Sequence, residues 1–171
     1  YKRSLYAVFA FSSIFAYYEN MFTPRSYKNC PSAQEIIALL KKPSKDDTAI
    51  IGKAYEFAKD AHKEQKRYSG EPYFCHLANV GSYLAAINVD AETVAAGLLH
   101  DTIEDAGVSA KTIEQEFGKE ILTLVEGTTK LGKLRYHGVE RHVESLRKFF
   151  IAMSHDIRVL LIKLADRLHN I

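Results

Sequence analysis

This chain is poor in cysteine, has no proline in its second half and is almost neutral overall, and each shortage excludes something. Only Cys30 and Cys75 occur among 171 residues, and they form no CxxC pair. That rules out a disulfide framework and matches free thiols in a reducing cytoplasm. Cys75 adjoins His76 but has no second cysteine nearby, so it reads as a small packing residue rather than a zinc ligand. The formal charge of +2 argues against DNA or other nucleic acid as a partner. Any anionic ligand must instead be met by a local basic cluster. The four prolines all lie at or before Pro72, which leaves 74–171 free of the strongest helix breaker. Strand-length alternation of apolar and polar residues is also missing, as are internal repeats and low-complexity tracts. The one apolar stretch near a terminus, 5–16, follows Lys2-Arg3 but is too short to span a bilayer and leads to no small-residue cleavage site, so no membrane partner is expected.

What remains is the composition of a globular protein, 47% hydrophobic and 26% charged. The chain opens on Tyr1 rather than methionine, while Met21 begins a more ordinary polar sequence. Three sections are therefore expected: an apolar extension over 1–20 that is not native, a helix and linker over 21–46, and one domain over 47–171. Helical apolar spacing recurs throughout, with Val80, Leu84 and Ile87, then Val94, Leu98 and Leu99, then Ile113 and Phe117, then Ile121, Leu124 and Val125. Asp90 and Ser109 read as N-caps and Gly118 as a stop. Helices are predicted over 33–40, 47–65, 140–154 and 156–170 besides the apolar segments just named. The second helix carries Ile51, Ala54, Tyr55, Ala58 and Ala61 inward. Residues 66–73 form a polar loop, and 127–139, with three glycines, a second irregular region. The fold class is all-α.

The chemistry concentrates in His100-Asp101-Thr102-Ile103-Glu104-Asp105, directly after an apolar run. Placed on a helix at about 100° per residue, its four ionisable groups fall within an arc of roughly 140°. Three carboxylates at that density raise one another's pKa unless a cation neutralises them, which points to a divalent metal. His76, at a helix start after the Gly70-Glu71-Pro72 turn, and Asp166, set among leucines, are the other candidate ligands. Two imidazoles and two carboxylates suit zinc, manganese or iron better than calcium. Such a site lowers the pKa of water and neutralises a phosphate oxygen, which is a hydrolase's equipment. Glu104 and Asp105, not needed as ligands, are the pair expected to orient and deprotonate the water.

An HD pair with an upstream histidine and a downstream aspartate resembles the HD superfamily of metal-dependent phosphohydrolases. Within it, Arg67-Tyr68-Ser69-Gly70-Glu71-Pro72-Tyr73 with His76, Leu98 to Asp105, and Asp156 to Asn170 are similar to the RelA/SpoT homologues over roughly 54–171. Glu126 to Leu131 and Glu144 to Lys148 look more like the long members than the small stand-alone hydrolases. The resemblance implies an HD-domain helical bundle that hydrolyses the alarmone (p)ppGpp at its 3′-diphosphate, giving GDP or GTP and pyrophosphate in the stringent response. It implies one manganese ion (Mn2+) on His76, His100, Asp101 and Asp166, with Glu104 and Asp105 as the catalytic pair. It places Arg67 on the guanine and Ser69 and Asn170 in the nucleotide pocket, with Tyr68 on the same loop, where many relatives carry a basic residue. Leu77 stands where proline is common. A long parent would also synthesise (p)ppGpp and meet the ribosome through other regions.

Two other readings stay open: a silent HD module regulating a synthetase, or a phosphohydrolase of a different nucleotide. Among the remaining histidines, His62, His137, His142 and His155 read as solvated, and His169 as either a hydrogen-bond partner of the site or a packing residue. The run from Gly127 to Leu134 nearly fits a phosphate-binding loop, but Leu134 replaces the required hydroxyl, so that reading is rejected.

Overall fold

A computed structural model describes residues 30–132 and 156–170, with the side chains of 131 and 132 excepted. The expectations for 1–29, for the 140–154 helix and for His137, His142 and His155 lie outside these residues.

Every helix but one begins where a short polar side chain satisfies its first N–H groups. Helix α1, Ala33–Ala38, follows Ser32, which forms a reciprocal capping box with Glu35. Helix α2, Lys45–Ala61, follows Ser44, boxed in the same way with Asp47. Ser44, rather than the anticipated Asp47, therefore sets its start. Helix α3, Tyr73–Ala86, starts at Pro72, whose missing N–H costs nothing there. Helix α4, Ala91–Leu99, is capped by Asp90 through the Thr93 N–H at 2.7 Å, as the sequence implied. Helix α5, Ala110–Gly132, is capped by Ser109 and broken internally at Gly118, whose φ of 84° and ψ of 169° no helical residue adopts. Helix α6, Ile157–His169, runs from Asp156 to Asn170. All the regular elements among the described residues are helices, and none is long and apolar enough to cross a membrane.

Helix α4 is the axis of the fold. Its sequence, AETVAAGLL, is small or apolar nearly all round, and a helix of that kind must be buried on every side. Accordingly it packs against α2, α3, α5 and α6. Its crossing with α3 is tight: a Cβ on Gly81 would lie 2.8 Å from Leu98 Cδ2, and one on Gly97 would collide with the Leu84 side chain. The core of α2 matches the expected inward set, Ile51, Ala54, Tyr55 and Ala58, although Ala61 is only half-buried.

Three local expectations are corrected. Residues 127–132 continue α5 rather than forming an irregular loop; Thr128 and Thr129 turn their hydroxyls back onto the Val125 carbonyl without ending the helix. Ile87 ends α3 and is 48% exposed, so it is not part of the core. His62 is 1% exposed, with Nδ1 2.7 Å from Gln65 Oε1 and its ring stacked on Tyr73. Charged neighbours in the sequence suggested a solvated residue, but at the end of α2 its ring turns into the space beside α3.

Candidate metal centre and active site

The central helix delivers the key pair. His100 caps α4 at its C-terminus, where the unsatisfied carbonyl ends favour a cation. Beyond it the chain leaves the helix: Thr102 gives both its N–H and its hydroxyl to the Leu99 carbonyl, at 3.0 and 2.6 Å. Residues 101–105 are thus a turn, which corrects the expectation of a continuous helix carrying all four groups on one arc. One bond of helical type survives, Asp105 N–H to the Asp101 carbonyl at 2.8 Å. That bond keeps Asp101 and Asp105 on the same side, while Glu104 is exposed.

His76 comes from the first turn of α3 and Asp166 from the last turns of α6. His76 Nε2 lies 3.3 Å from Asp166 Oδ1, and His100 Nε2 lies 3.1 Å from Asp101 Oδ2 and 3.9 Å from Asp166 Oδ1. His76, His100 and Asp101 offer ligand atoms all within 4.8 Å of one another. Two imidazoles and two carboxylates from α3, from the end of α4 with the turn after it, and from α6 therefore converge, and both imidazoles are almost wholly buried.

The far nitrogens show which ring atoms face the centre. His100 Nδ1 sits 2.8 Å from the Gly97 carbonyl, which only an N–H can satisfy, so Nε2 carries the lone pair. His76 Nδ1 sits 3.0 Å from His169 Nδ1, and Arg67 also points a guanidinium nitrogen at that atom, again at 3.0 Å. Arginine can only donate, so His169 Nδ1 is the acceptor of that bond, and a proton on His76 Nδ1 would share the same single lone pair. Burial and the neighbouring His76 and Arg67 pull the His169 pKa down to about 4, which keeps its ring neutral and able to accept. With that proton on Nδ1, His76 Nε2 is left with its lone pair toward the cluster. His100 Nε2 is buried and makes no hydrogen bond of good geometry, although Asp101 Oδ2 lies 3.1 Å from it. A buried, orphaned nitrogen between two carboxylates is what a divalent cation would satisfy, so the residues present fit a metal.

Charge balance supports the same arrangement. Burial pushes the Asp101 carboxyl up, but His100 and the Tyr73 hydroxyl outweigh it and hold the pKa at about 2. Asp166 is also held well below the carboxylate range, burial being overcome by His76, Lys163 and His100. Without a metal, full burial works against the charge on His100, yet Asp101 and Asp166 raise its pKa.

The remaining candidates sit around the rim. Residues 65–73 fold into a small loop: Lys66 and Pro72 pair in an isolated bridge, and Gly70 takes a φ of 88° that favours glycine. This loop sets Arg67 over the end of α6, where its guanidinium also donates to Asn170 Oδ1. Asn170 in turn donates to Asp166 Oδ1 at 2.6 Å. Arg67 and Asn170 are thereby joined to the cluster, whereas Tyr68 and Ser69 are exposed on the loop, Tyr68 fully so. Asp105 is exposed but tethered, accepting from Tyr73 at 2.9 Å.

Sequence reasoning overlooked three residues. Tyr73 bonds both Asp101 and Asp105, Lys163 Nζ lies 2.8 Å from Asp166 Oδ2, and Gln65 holds the Asp105 carbonyl at 2.7 Å. Tyr73 is three residues before His76 and Lys163 three before Asp166, a spacing that places each beside a ligand on its helix. Gln65 carries no such signal.

Comparison with known proteins agrees with this geometry. The HD-domain family profile matches residues 54–171. A guanosine-3′,5′-bis(diphosphate) 3′-pyrophosphohydrolase of Aquifex aeolicus is 48% identical over 121 residues, covering 71% of this chain and 17% of its own length. The bifunctional (p)ppGpp synthase/hydrolase SpoT of Escherichia coli is 48% identical over 126 residues, 73% of this chain and 18% of that one. A GTP pyrophosphokinase rsh of Brucella melitensis is 50% identical over 123 residues, 71% and 16%. The chain thus spans under a fifth of the length of these curated relatives. Among solved structures, a metazoan orthologue of SpoT described as hydrolysing ppGpp aligns with a TM-score of 0.56 at 28% identity, over 76% of this chain and 70% of the other.

Proposed function

Because the chain belongs to the HD-domain family, in which divalent-metal dependence is implied, we propose that its 47–171 region is a (p)ppGpp 3′-pyrophosphohydrolase and that its metal is Mn2+. The observation that carries this reading is the convergence of His76, His100, Asp101 and the orphaned His100 Nε2 beside Asp166, under a loop that sets Arg67 against Asn170. Those four ligands would hold the cation, which supplies Lewis-acid chemistry by lowering the pKa of water and offsetting phosphate charge. Arg67, planar and already fixed at its guanidinium by His169 and Asn170, suits stacking on guanine. Tyr68 and Ser69, exposed beside it, are free to meet the rest of the nucleoside.

In the reaction, water adds to the phosphorus bonded to the 3′ oxygen and the P–O3′ bond breaks. Glu104, exposed next to Asp105 in the chain, takes the proton, which ends on the 3′ oxygen of GDP or GTP. Asp105, held by Tyr73 and Gln65, orients that exchange. The parent protein would combine this activity with (p)ppGpp synthesis, as the SpoT and rsh names of the relatives suggest, and would act in the cytoplasm, which the two free thiols favour.

The test is pyrophosphate release from ppGpp by purified protein with Mn2+, with a chelator, and with Glu104→Ala. Release that needs metal and falls by about 10²–10⁴-fold in the variant is expected, the range for a lost general base. Release that survives chelation, or is undiminished in Glu104→Ala, would reject the mechanism. No release at all from the metal-loaded wild type would favour the silent module instead.

A further inference from the structure

The Tyr73 hydroxyl touches two carboxylates to which the proposed mechanism gives different duties. It lies 2.6 Å from Asp101 Oδ2 and 2.9 Å from Asp105 Oδ2. We propose that Tyr73 is a positioning residue, its single phenolic proton setting the Asp101 carboxylate for metal binding and holding Asp105 of the catalytic pair at a fixed distance from it. This rests on the hydrolase reading above for the role of Asp105, but not for the role of Asp101.

The physical need is clear from the charges. Asp101 and Asp105 face one another across the hydroxyl, and without a donor between them two carboxylates repel. Asp105 is exposed and would swing into solvent. Asp101 Oδ2 is also the oxygen 3.1 Å from His100 Nε2. A donor on that oxygen uses one lone pair, restricts rotation of the carboxylate and leaves the rest of its acceptor capacity toward the centre.

Tyr73 is built to hold its hydroxyl still. Its ring stacks on buried His62 at 5.1 Å and 17°, and meets His76 edge-on at 5.8 Å and 71°. Its backbone N–H donates to the Gln65 carbonyl at 2.9 Å. The Gln65 side chain closes the bracket, with Oε1 2.7 Å from His62 Nδ1 and Nε2 donating to the Asp105 carbonyl at 2.7 Å. Asp105 is therefore gripped twice, at its carboxylate by Tyr73 and at its backbone by Gln65. Glu104, one residue earlier, is exposed outside this bracket, so the two acids of the pair are held differently.

The experiment measures Mn2+ affinity by titration calorimetry in the absence of nucleotide, then kcat and KM for ppGpp at saturating metal. Tyr73→Phe removes only the hydroxyl and should weaken Mn2+ binding by about 10–100-fold, the usual cost of losing an outer-shell partner, and lower kcat by a similar factor. KM should stay within about twofold, since Arg67 and Asn170 are untouched. The matched control is Tyr55→Phe, whose hydroxyl donates to the Pro31 carbonyl at 3.0 Å and should change neither quantity. A p-aminophenylalanine in place of Tyr73 keeps the ring and a donor, and should recover most of the affinity. Mn2+ affinity and kcat unchanged in Tyr73→Phe would overturn the proposal. So would a weakened Phe variant that the amino analogue fails to rescue, since packing rather than the hydrogen bond would then be responsible. If the wild type binds Mn2+ but releases no pyrophosphate, the hydrolase reading fails while the Asp101 role is still judged on affinity alone.

Discussion

The two imidazoles at the centre face it with a lone pair because of what holds their other nitrogens. For His100 the holder is its own helix, through the Gly97 carbonyl, and three residues of local sequence suffice. For His76 it is His169, 93 positions away, whose single lone pair is shared between His76 and Arg67. His169 therefore links the arginine proposed to read the base with a proposed metal ligand. His169→Phe should leave the His76 Nδ1–H without its acceptor and weaken Mn2+ binding by about 10–100-fold in calorimetry without nucleotide. Unchanged affinity would mean that packing alone orients His76. Three of the four expected ligands occupy one tight group with the fourth at its edge, yet of the expected nucleotide contacts only Arg67 and Asn170 are joined to them.

At the level of elements, α4 does most to position the site, and its sequence shows why. Small residues let α3 approach closely, and the Gly97 position is filled from the other side by the Leu84 side chain. Gly97→Ala should gain about 0.5–1 kcal/mol of helix propensity but lose more to overpacking, commonly about 1–3 kcal/mol, for a net fall in stability. Urea unfolding would measure it, and an unchanged or higher midpoint would show that the crossing can relax. Helix positions were legible beforehand wherever a cap and a 3.6-residue period coincided, as at Asp90 and Ser109, and Gly118 was rightly read as a stop. The segment 100–105 was not legible. Its charge pattern fits a helical face, but the Thr102 backbone N–H, and not only its hydroxyl, goes to the Leu99 carbonyl three residues back, and the chain turns instead.

Across the whole molecule, the site exists only when α3, α4 and α6 are docked, so a bound cation must stabilise the fold. At a hundredfold excess over its Kd, Mn2+ should add about 2.7 kcal/mol, raising the thermal midpoint, and His76→Ala should lose most of that gain. An equal rise in both proteins would place the ion elsewhere. The sequence by itself determined the helical class, the start of most helices and the identity of the ionisable groups, because each is a matter of residue type and of patterns a few residues apart. Only the tertiary structure decided that His62 is buried, that Tyr68 is turned outward while Arg67 reaches Asn170, and that Tyr73 and Gln65 bracket Asp105. Those outcomes depend on pairs of residues up to 103 positions apart. No local propensity encodes such a distance, and it is set by how the helices pack around α4.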